Sequence, residues 1–283
     1  MDISEEQEKI DKLNQEILNA EKEIKAIERR KNRLILKRKT FEDSILQKQK
    51  RITLEKNAQL KNKFDDESFP WSKDLKQTAA QVFGIHEWKF SQIQVMNSIL
   101  SKRDVFVIMP TGTYNKDKKK GTYSGGKSLC YQLTSLICPG LTVVISPLIS
   151  LIQDQVFELT RLGINAKSLT SYNHPSENTE ILGTLRKFAK SPESEPNPIK
   201  LLYLTPERLL KGKRVVSVFE SLYAKNLINC FVIDECHCCS EYGHDFRPDY
   251  KKLGLLRILF QKVPIMALTA TSTNNVKKSV IST

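Results

Sequence analysis

The sequence predicts an α/β protein, a domain with a parallel sheet flanked by helices, preceded by an N-terminal α-helical coiled coil. Three observations predict it. Apolar residues step by alternating threes and fours over the first fifty positions, five short aliphatic runs then alternate with helical stretches, and residues with phosphate and metal chemistry sit just after those runs.

Taken in order, Ile10, Ile17 and Ile24 fall at a and Leu13, Ala20 and Ile27 at d of a heptad, and β-branched a positions favour two-stranded coils. Lys31 and Arg38 later occupy a and weaken the seam. Charge is acidic to Glu28 and strongly basic through "RRKNRLILKRK", so an antiparallel partner helix gains attraction that a parallel one does not; a lone solvated helix, or one folded back on the core, is the alternative. The expected division is a coiled coil over 1–52, a polar linker over 53–74 closed by Pro70 in "FPWSKD", and a globular domain over 75–283.

Within that domain the runs "VFVIM" (Val105 to Met109), "TVVIS" (Thr142 to Ser146), "KLLYLT" (Lys200 to Thr205), "CFVID" (Cys230 to Asp234) and "IMALT" (Ile265 to Thr269) read as strands. Helical stretches such as Leu148 to Leu162 separate them. Continuous apolar strands alternating with helices form parallel sheets covered on both faces, which bind ligands at the carboxyl ends of their strands. "KSPESEPNP" (Lys190 to Pro198) reads as a surface loop.

The 283 residues suffice for one core and an appendage. A formal charge of +13 and a pI near 9.4 favour a polyanionic partner, nucleic acid or anionic membrane. No apolar run approaches the roughly 20 residues of a membrane span, and the first residues do not form a signal peptide, so a soluble, non-secreted protein is expected. Six cysteines, three of them in "CHCC" (Cys236, Cys238, Cys239), lack disulfide-scaffold spacing and point to reduced thiols in cytosol or nucleus. Cys236 and Cys239 are spaced C-x-x-C, but a structural zinc site needs a second ligand pair, and none lies nearby.

Chemistry concentrates at two strand ends. Gly126-Lys127-Ser128 follows the first strand and opens a helix, the context of a P-loop: backbone N–H groups face phosphates, Lys127 reaches the β- and γ-phosphates, and Ser128 ligates magnesium. "VIDECH" delivers Asp234 for the magnesium shell and Glu235 to orient or deprotonate the attacking water. ATP and Mg2+ are the implied cofactors. Either motif alone is a weak signal; on successive strand ends of one sheet they reinforce each other.

"MPTG…GGKSLCYQL", "VISPLISLIQDQV", "LLYLTPERL", "VIDECHCCSEYGHDFRPDYKKLGLLR" and "ALTAT", in this order, resemble motifs I, Ia, Ib, II with its aromatic-rich loop, and III of the RecQ family of DNA helicases. The resemblance covers the chain from about Phe69 onward, and the coiled coil followed by "ESFPWS" is similar to the RecQ1-type branch. It implies a RecA-like P-loop domain, 3′→5′ DNA unwinding in recombination and repair, DNA as partner and a nuclear location. Gly125 and Gly126 would join the phosphate cradle. "FGIHEWKFSQIQ" lines up with the family's motif 0, which puts Trp88 in a Phe place, Lys89 in the Arg place and Gln92 in the adenine-reading place; Lys for Arg weakens a stacked or bidentate contact.

The same resemblance implies that Ser146, Pro147, Thr205, Pro206 and Glu207 lie along the DNA backbone. It assigns Tyr242, His244, Phe246 and Arg247 to sensing single-stranded DNA by stacking and phosphate pairing, with Tyr242 in place of the usual Trp. His237, Thr269 and Thr271 would couple nucleotide state to DNA grip. It also implies a second RecA-like domain with an arginine finger that these residues do not include, so half an ATP site, and binding without unwinding, is expected. A catalytically silent DNA-binding or oligomerisation module is the alternative from another class. An unrelated P-loop NTPase is a third, with no candidate arginine or sensor residues.

Deleting Thr113 through Ser124 leaves "VIMPTGGGKSLCYQL", an uninterrupted motif I, so these twelve residues read as an insertion in the phosphate loop. Either the lysine-rich segment is extruded and Gly121 to Ser128 supplies the cradle, or the loop is disordered and ATP affinity collapses; an unspliced short intron is a third origin. Cradle amides must converge on one anion, which an insertion disturbs more than it disturbs a surface loop. Nucleotide titration of this chain beside one lacking Thr113 to Ser124 is therefore expected to show tighter binding by the shortened chain; equal affinities would mean the insertion is harmless.

Overall fold

The computed structural model describes residues 3–89, 91–109, 126–193, 199–241, 245–270 and 273–282. The Thr113 to Ser124 insertion and Gly125, Tyr242, His244 and Thr271 lie outside them, as do residues 194–198 of the proposed surface loop. The chain divides into two compact units, 1–62 and 63–283.

The first unit is one helix, α1 (Ile3–Phe64), whose last residues enter the second unit. It runs past position 52, so residues 53–64, expected as linker, continue the helix. Ile10, Leu13, Ile17, Ala20, Ile24 and Ile27, the a and d residues of the heptad, are all exposed on it.

The second unit is built on six parallel strands: β1 (Val105–Ile108), β2 (Leu141–Ile145), β3 (Ala166–Leu169), β4 (Leu201–Leu204), β5 (Ile228–Ile233) and β6 (Ile265–Thr269), in the spatial order β1-β6-β5-β2-β4-β3. Five correspond to the aliphatic runs. The sixth, β3, reads "AKSL", and its mixed polarity hides it in the sequence because it is an edge strand with only its ends buried. Helices α2 (Ser72–Phe83), α3 (Gln92–Leu100), α4 (Lys127–Ile137) and α5 (Ile149–Arg161) cover one face of the sheet. The other face carries α6 (Pro175–Lys190), α7 (Pro206–Lys211), α8 (Lys213–Ala224), α9 (Pro248–Lys251) and α10 (Leu255–Leu259), with Val280 of α11 (Asn274–Ser282) against the same core.

Period-2 alternation feeds both cores. Leu141, Val143 and Ile145 of β2 and Phe231 and Ile233 of β5 enter the second core, while Val144, Cys230 and Val232 enter the first. With both sides covered, every residue of β2, β4 and β5 is buried, which is why these strands read as unbroken apolar runs. No helix among the described residues is long and apolar enough to cross a membrane, and all six cysteines are free thiols.

The strand ends are level. Met109 N–H donates to the Thr269 carbonyl at 3.2 Å, Asp234 N–H to Ile145 at 2.9 Å and Ser146 N–H to Leu204 at 3.1 Å, so the residues after β1, β2, β4, β5 and β6 leave the sheet along one edge.

Asn97, fully buried on α3, pins the segment that leads into α2. Its amide donates to the Phe64 and Asp66 carbonyls at 3.0 and 2.8 Å, and its Oδ1 accepts from Trp71 Nε1 at 2.8 Å. Phe64, Phe69 and Trp71 stack in sequence above it, with ring centroids 6.0 and 5.2 Å apart. Asn97→Ala removes three hydrogen bonds and strands two carbonyls and an indole N–H, so unfolding in urea is expected to show a loss of about 2–4 kcal/mol.

Candidate functional site

The sharpest backbone feature of the strand-end edge follows β5. Asp234 extends the strand ladder, and Glu235 then takes a left-handed conformation, φ 46° and ψ 46°, uncommon for a non-glycine residue. The turn is held by Glu235 N–H donating to Asp234 Oδ1 at 3.0 Å and by Cys238 N–H donating to the Glu235 carbonyl at 3.0 Å. A 3-10 turn, Cys236–Cys239, completes it. Two adjacent carboxylates are thereby released at the end of a buried strand and aimed along its edge.

Lys127, the first residue of α4, meets them. Its ammonium lies 3.3 Å from Glu235 Oε1, and Lys127 and Asp234 are only 7 % and 8 % exposed. His237 Nδ1 lies 3.2 Å from Glu235 Oε2 and 3.0 Å from Thr269 Oγ1, so the imidazole bridges the ends of β5 and β6. Tyr250, buried on α9, donates its hydroxyl to the Asp234 carbonyl at 2.9 Å. Behind the site the Tyr131 hydroxyl is buried near Tyr203; burial first, then Tyr203 and the charge of Asp234, push it well above its ordinary pKa.

The two carboxylates are held in opposite electrostatic conditions. Burial, then the neighbouring Glu235 charge, raises Asp234 to about 6, with Lys127 only partly offsetting them. The His237 hydrogen bond, together with the charge of Lys127, holds Glu235 below its ordinary value against the cost of burial. A buried carboxylate whose pKa is raised by burial and by a neighbouring acid suits a divalent ion, and Ser128, the residue after Lys127 at the start of α4, carries a hydroxyl of the kind such an ion takes. The residues present therefore fit Mg2+ and a phosphate chain.

Gln92 is buried at the start of α3. Its Oε1 accepts from the Lys89 backbone N–H at 2.9 Å, and its Nε2 donates to the Gly126 carbonyl at 3.2 Å. The amide expected to read adenine thus ties its own loop to the start of α4, and the Lys89 side chain is exposed.

On the expected nucleic-acid face, Ser146, Pro147 and Pro206 are buried, and the Ser146 hydroxyl has no partner among the described residues. Thr205 Oγ1 accepts from Arg208 N–H at 3.3 Å and caps α7; Glu207 is half-buried. Phe246 is exposed, with the Lys251 ammonium 5.4 Å from its ring centroid. Arg247, expected on phosphate, engages protein: its guanidinium donates to the Pro147 carbonyl at 2.8 Å and to Asp245 at 3.3 Å, and its N–H donates to the Cys238 carbonyl at 2.9 Å. Cys236 and Cys239 line an apolar cavity of about 470 Å³ on the β1–β6–β5 side. No cluster of three potential metal ligands from His, Cys, Asp and Glu occurs among the described residues.

The sequence reading did not assign Tyr250 or Tyr131. Tyr250 lay in the quoted "RPDY" block and Tyr131 in "SLCYQ", but no spacing rule connects either to Asp234.

The sequence profile of the DEAD/DEAH box helicases matches residues 90–279, and the chain belongs to that family. Within it, the likeness is to RecQ-type helicases. The chain is 47 % identical over 214 residues to the RecQ-like DNA helicase BLM of Xenopus laevis, covering 76 % of this chain and 14 % of that protein. It is 40 % identical over 212 residues to ATP-dependent DNA helicase Q1 of Rattus norvegicus, covering 75 % and 31 %. The likeness to a Q1 relative is thus no stronger than that to a BLM relative, and the chain spans less than a third of either. Among solved structures, the DUF1998 helicase MrfA bound to DNA and AMPPNP matches with a TM-score of 0.52 at 18 % identity, over 74 % of this chain and 28 % of that one, a likeness of fold.

The raised Asp234 pKa has a signed consequence. The folded protein keeps the Asp234 proton up to about pH 6, whereas the ordinary value is 3.8, so stability from this group is complete below 3.8 and is lost as pH rises through 6. Asp234→Asn is expected to stabilise the nucleotide-free chain at pH 7.5 by up to about 3 kcal/mol, with the gain vanishing near pH 4, in paired urea-unfolding curves.

Proposed function

We propose that this chain supplies the first motor lobe of an ATP-dependent, RecQ-type DNA helicase working 3′→5′, with an N-terminal coiled coil ahead of it. The observation that carries the reading is the meeting of Lys127 with Glu235 at 3.3 Å, beside buried Asp234, at the level ends of a parallel sheet.

In this reading Lys127 binds the β- and γ-phosphates, with Gly125 and Gly126 contributing backbone amides. Ser128 and Asp234 would hold Mg2+, which when bound neutralises charge on the phosphate chain. Glu235 orients the attacking water, and its ion pair with Lys127 opens as Lys127 turns to phosphate. His237, between Glu235 and Thr269, carries that change toward β6, with Thr271 beyond it. Gln92, with Lys89 beside it, exchanges its internal partners for adenine.

The relatives are DNA helicases by name, and this supports DNA as the partner, with a role in recombination and repair in the nucleus. Ser146, Pro147, Thr205, Pro206 and Glu207 mark its path, and Tyr242, His244, Phe246 and Arg247 the stretch that senses it. Because Arg247 holds the Pro147 carbonyl, DNA arriving at either segment disturbs the other.

A second reading, an oligomerising DNA-binding module without turnover, is favoured by the exposed heptad stripe of α1. Nine Asp and Glu against four Lys over residues 2–28 face ten Lys and Arg against two acids over 29–51 in an antiparallel pair. The two readings separate on turnover. With a second RecA-like lobe supplied in trans to complete the ATP site, ATP hydrolysis stimulated by single-stranded DNA, lost with Lys127→Ala together with at least about tenfold of the nucleotide affinity, is the expected outcome. DNA affinity with no stimulated hydrolysis would favour the module.

A further inference from the structure

A cavity of about 580 Å³ opens at the same strand-end edge, outward from Thr205, between the start of α6 after β3 and the joint between α7 and α8 after β4. Arg208, Lys211, Lys213 and Arg214 line it from one side and Asn173 and Asn178 from the other, and among the described residues no carboxylate lines it. Among the described residues none of the four cationic side chains has an ion-pair or hydrogen-bond partner. Arg208 Nε is moreover shut off from solvent without an acceptor, as Asn178 Oδ1 is without a donor.

The joint is built in a way that folding alone does not favour. α8 starts at Gly212 with no side-chain cap and no acid in its first turn, and its first two residues are Lys213 and Arg214, which sit at the positive end of the helix dipole. The α6 start faces the same space through Pro175 and Asn178, but its own end is answered by the His174 cap on Ser176 N–H and by Glu177 in its first turn, so the unanswered positive end is that of α8. Only glycine lets α7 run directly into α8, since a Cβ at Gly212 would lie 2.5 Å from the Arg208 carbonyl and 3.0 Å from Val215 Cγ2. The tight joint is what brings Lys211, Lys213 and Arg214 together. Four cations without a partner among the described residues and the uncapped start of α8 around one concave space are arranged for an anion.

We infer that this cavity seats a backbone phosphate of the DNA strand, one step outward from Thr205 along the strand-end edge. The inference rests on the DNA-binding reading above and extends the strand's path beyond the residues which that reading assigns. Arg208 links the two places, because its backbone N–H is capped by Thr205 while its side chain lines the cavity. A free phosphate could satisfy the same donors, so the test must separate the two sources.

The test is fluorescence anisotropy with labelled oligothymidylates of increasing length, titrated with the full 283-residue chain at several salt concentrations. The triple variant Lys211→Ala, Lys213→Ala, Arg214→Ala is compared with Lys187→Ala, Lys225→Ala, Lys262→Ala, which removes the same charge from exposed positions outside the cavity. Single-strand binding loses about 0.7 in the slope of log affinity against log salt per phosphate contact. The cavity variant is therefore expected to lower the slope by about 0.7, the share of one phosphate contact, on long strands and to leave the shortest strands unchanged, while the comparison variant leaves the slope intact.

Equal effects of the two variants would reduce the cavity to general charge and overturn the inference. An unchanged slope in the cavity variant, with DNA still bound, overturns it and leaves the DNA-binding reading standing. So does a cavity that binds inorganic phosphate, by calorimetry, without altering the DNA slope. No DNA binding by the unmodified chain overturns both.

Discussion

Two carboxylates on consecutive residues at the end of a fully buried strand must both be accommodated, and the geometry after β5 is the response to that demand. Extended backbone would send Asp234 and Glu235 to opposite faces of the sheet. The left-handed turn at Glu235 keeps them together, at the cost of a conformation non-glycine residues rarely adopt. Glu235 then acquires Lys127 and His237, and its charge is stabilised. Among the described residues Asp234 forms no ion pair, and it is left in a setting that resists ionisation. Among the described residues one carboxylate thus has ion-pair partners while its neighbour has only the Glu235 N–H, and the two are held in opposite electrostatic conditions.

The contacts that satisfy Glu235 also tie the motifs together. Lys127 brings the start of α4 to β5, His237 brings β5 to β6 through Thr269, and Gln92 brings the start of α3 to Gly126. Arg247 joins the segment after the 3-10 turn to the loop after β2. Each is a hydrogen bond or ion pair between side chains or backbone groups far apart in sequence, at an edge where the strands end level. Exchange of any one partner for a ligand atom therefore displaces a group belonging to another motif.

Several of these features were legible in the residues. The buried strands announced themselves because a strand covered on both faces cannot alternate with polar residues, and "TVVIS" and "CFVID" follow that rule. The start of a helix at Lys127 and the carboxylate pair at the end of a strand were equally readable, since each depends on a local run of residues. β3 was not, because an edge strand with half-solvated sides needs no apolar run. Residues 53–64 looked like a linker by their mixed polarity, yet they continue α1. The polar Asn97, unremarkable on α3, gains its importance only from Phe64, Asp66 and Trp71 arriving around it.

By itself, then, the sequence determined the layered α/β architecture, the strands that form its centre and the residue types collected at their ends, because period, burial and strand-to-helix transitions are local properties of the chain. Tertiary structure alone decided which of those residues meet. The Lys127 to Glu235 contact spans 108 positions, the Arg247 to Pro147 contact spans 100, and the cavity cations face asparagines that follow a different strand. Strand order and register set such distances, and the order β1-β6-β5-β2-β4-β3 is a consequence of packing two helical layers against one sheet that no single segment encodes.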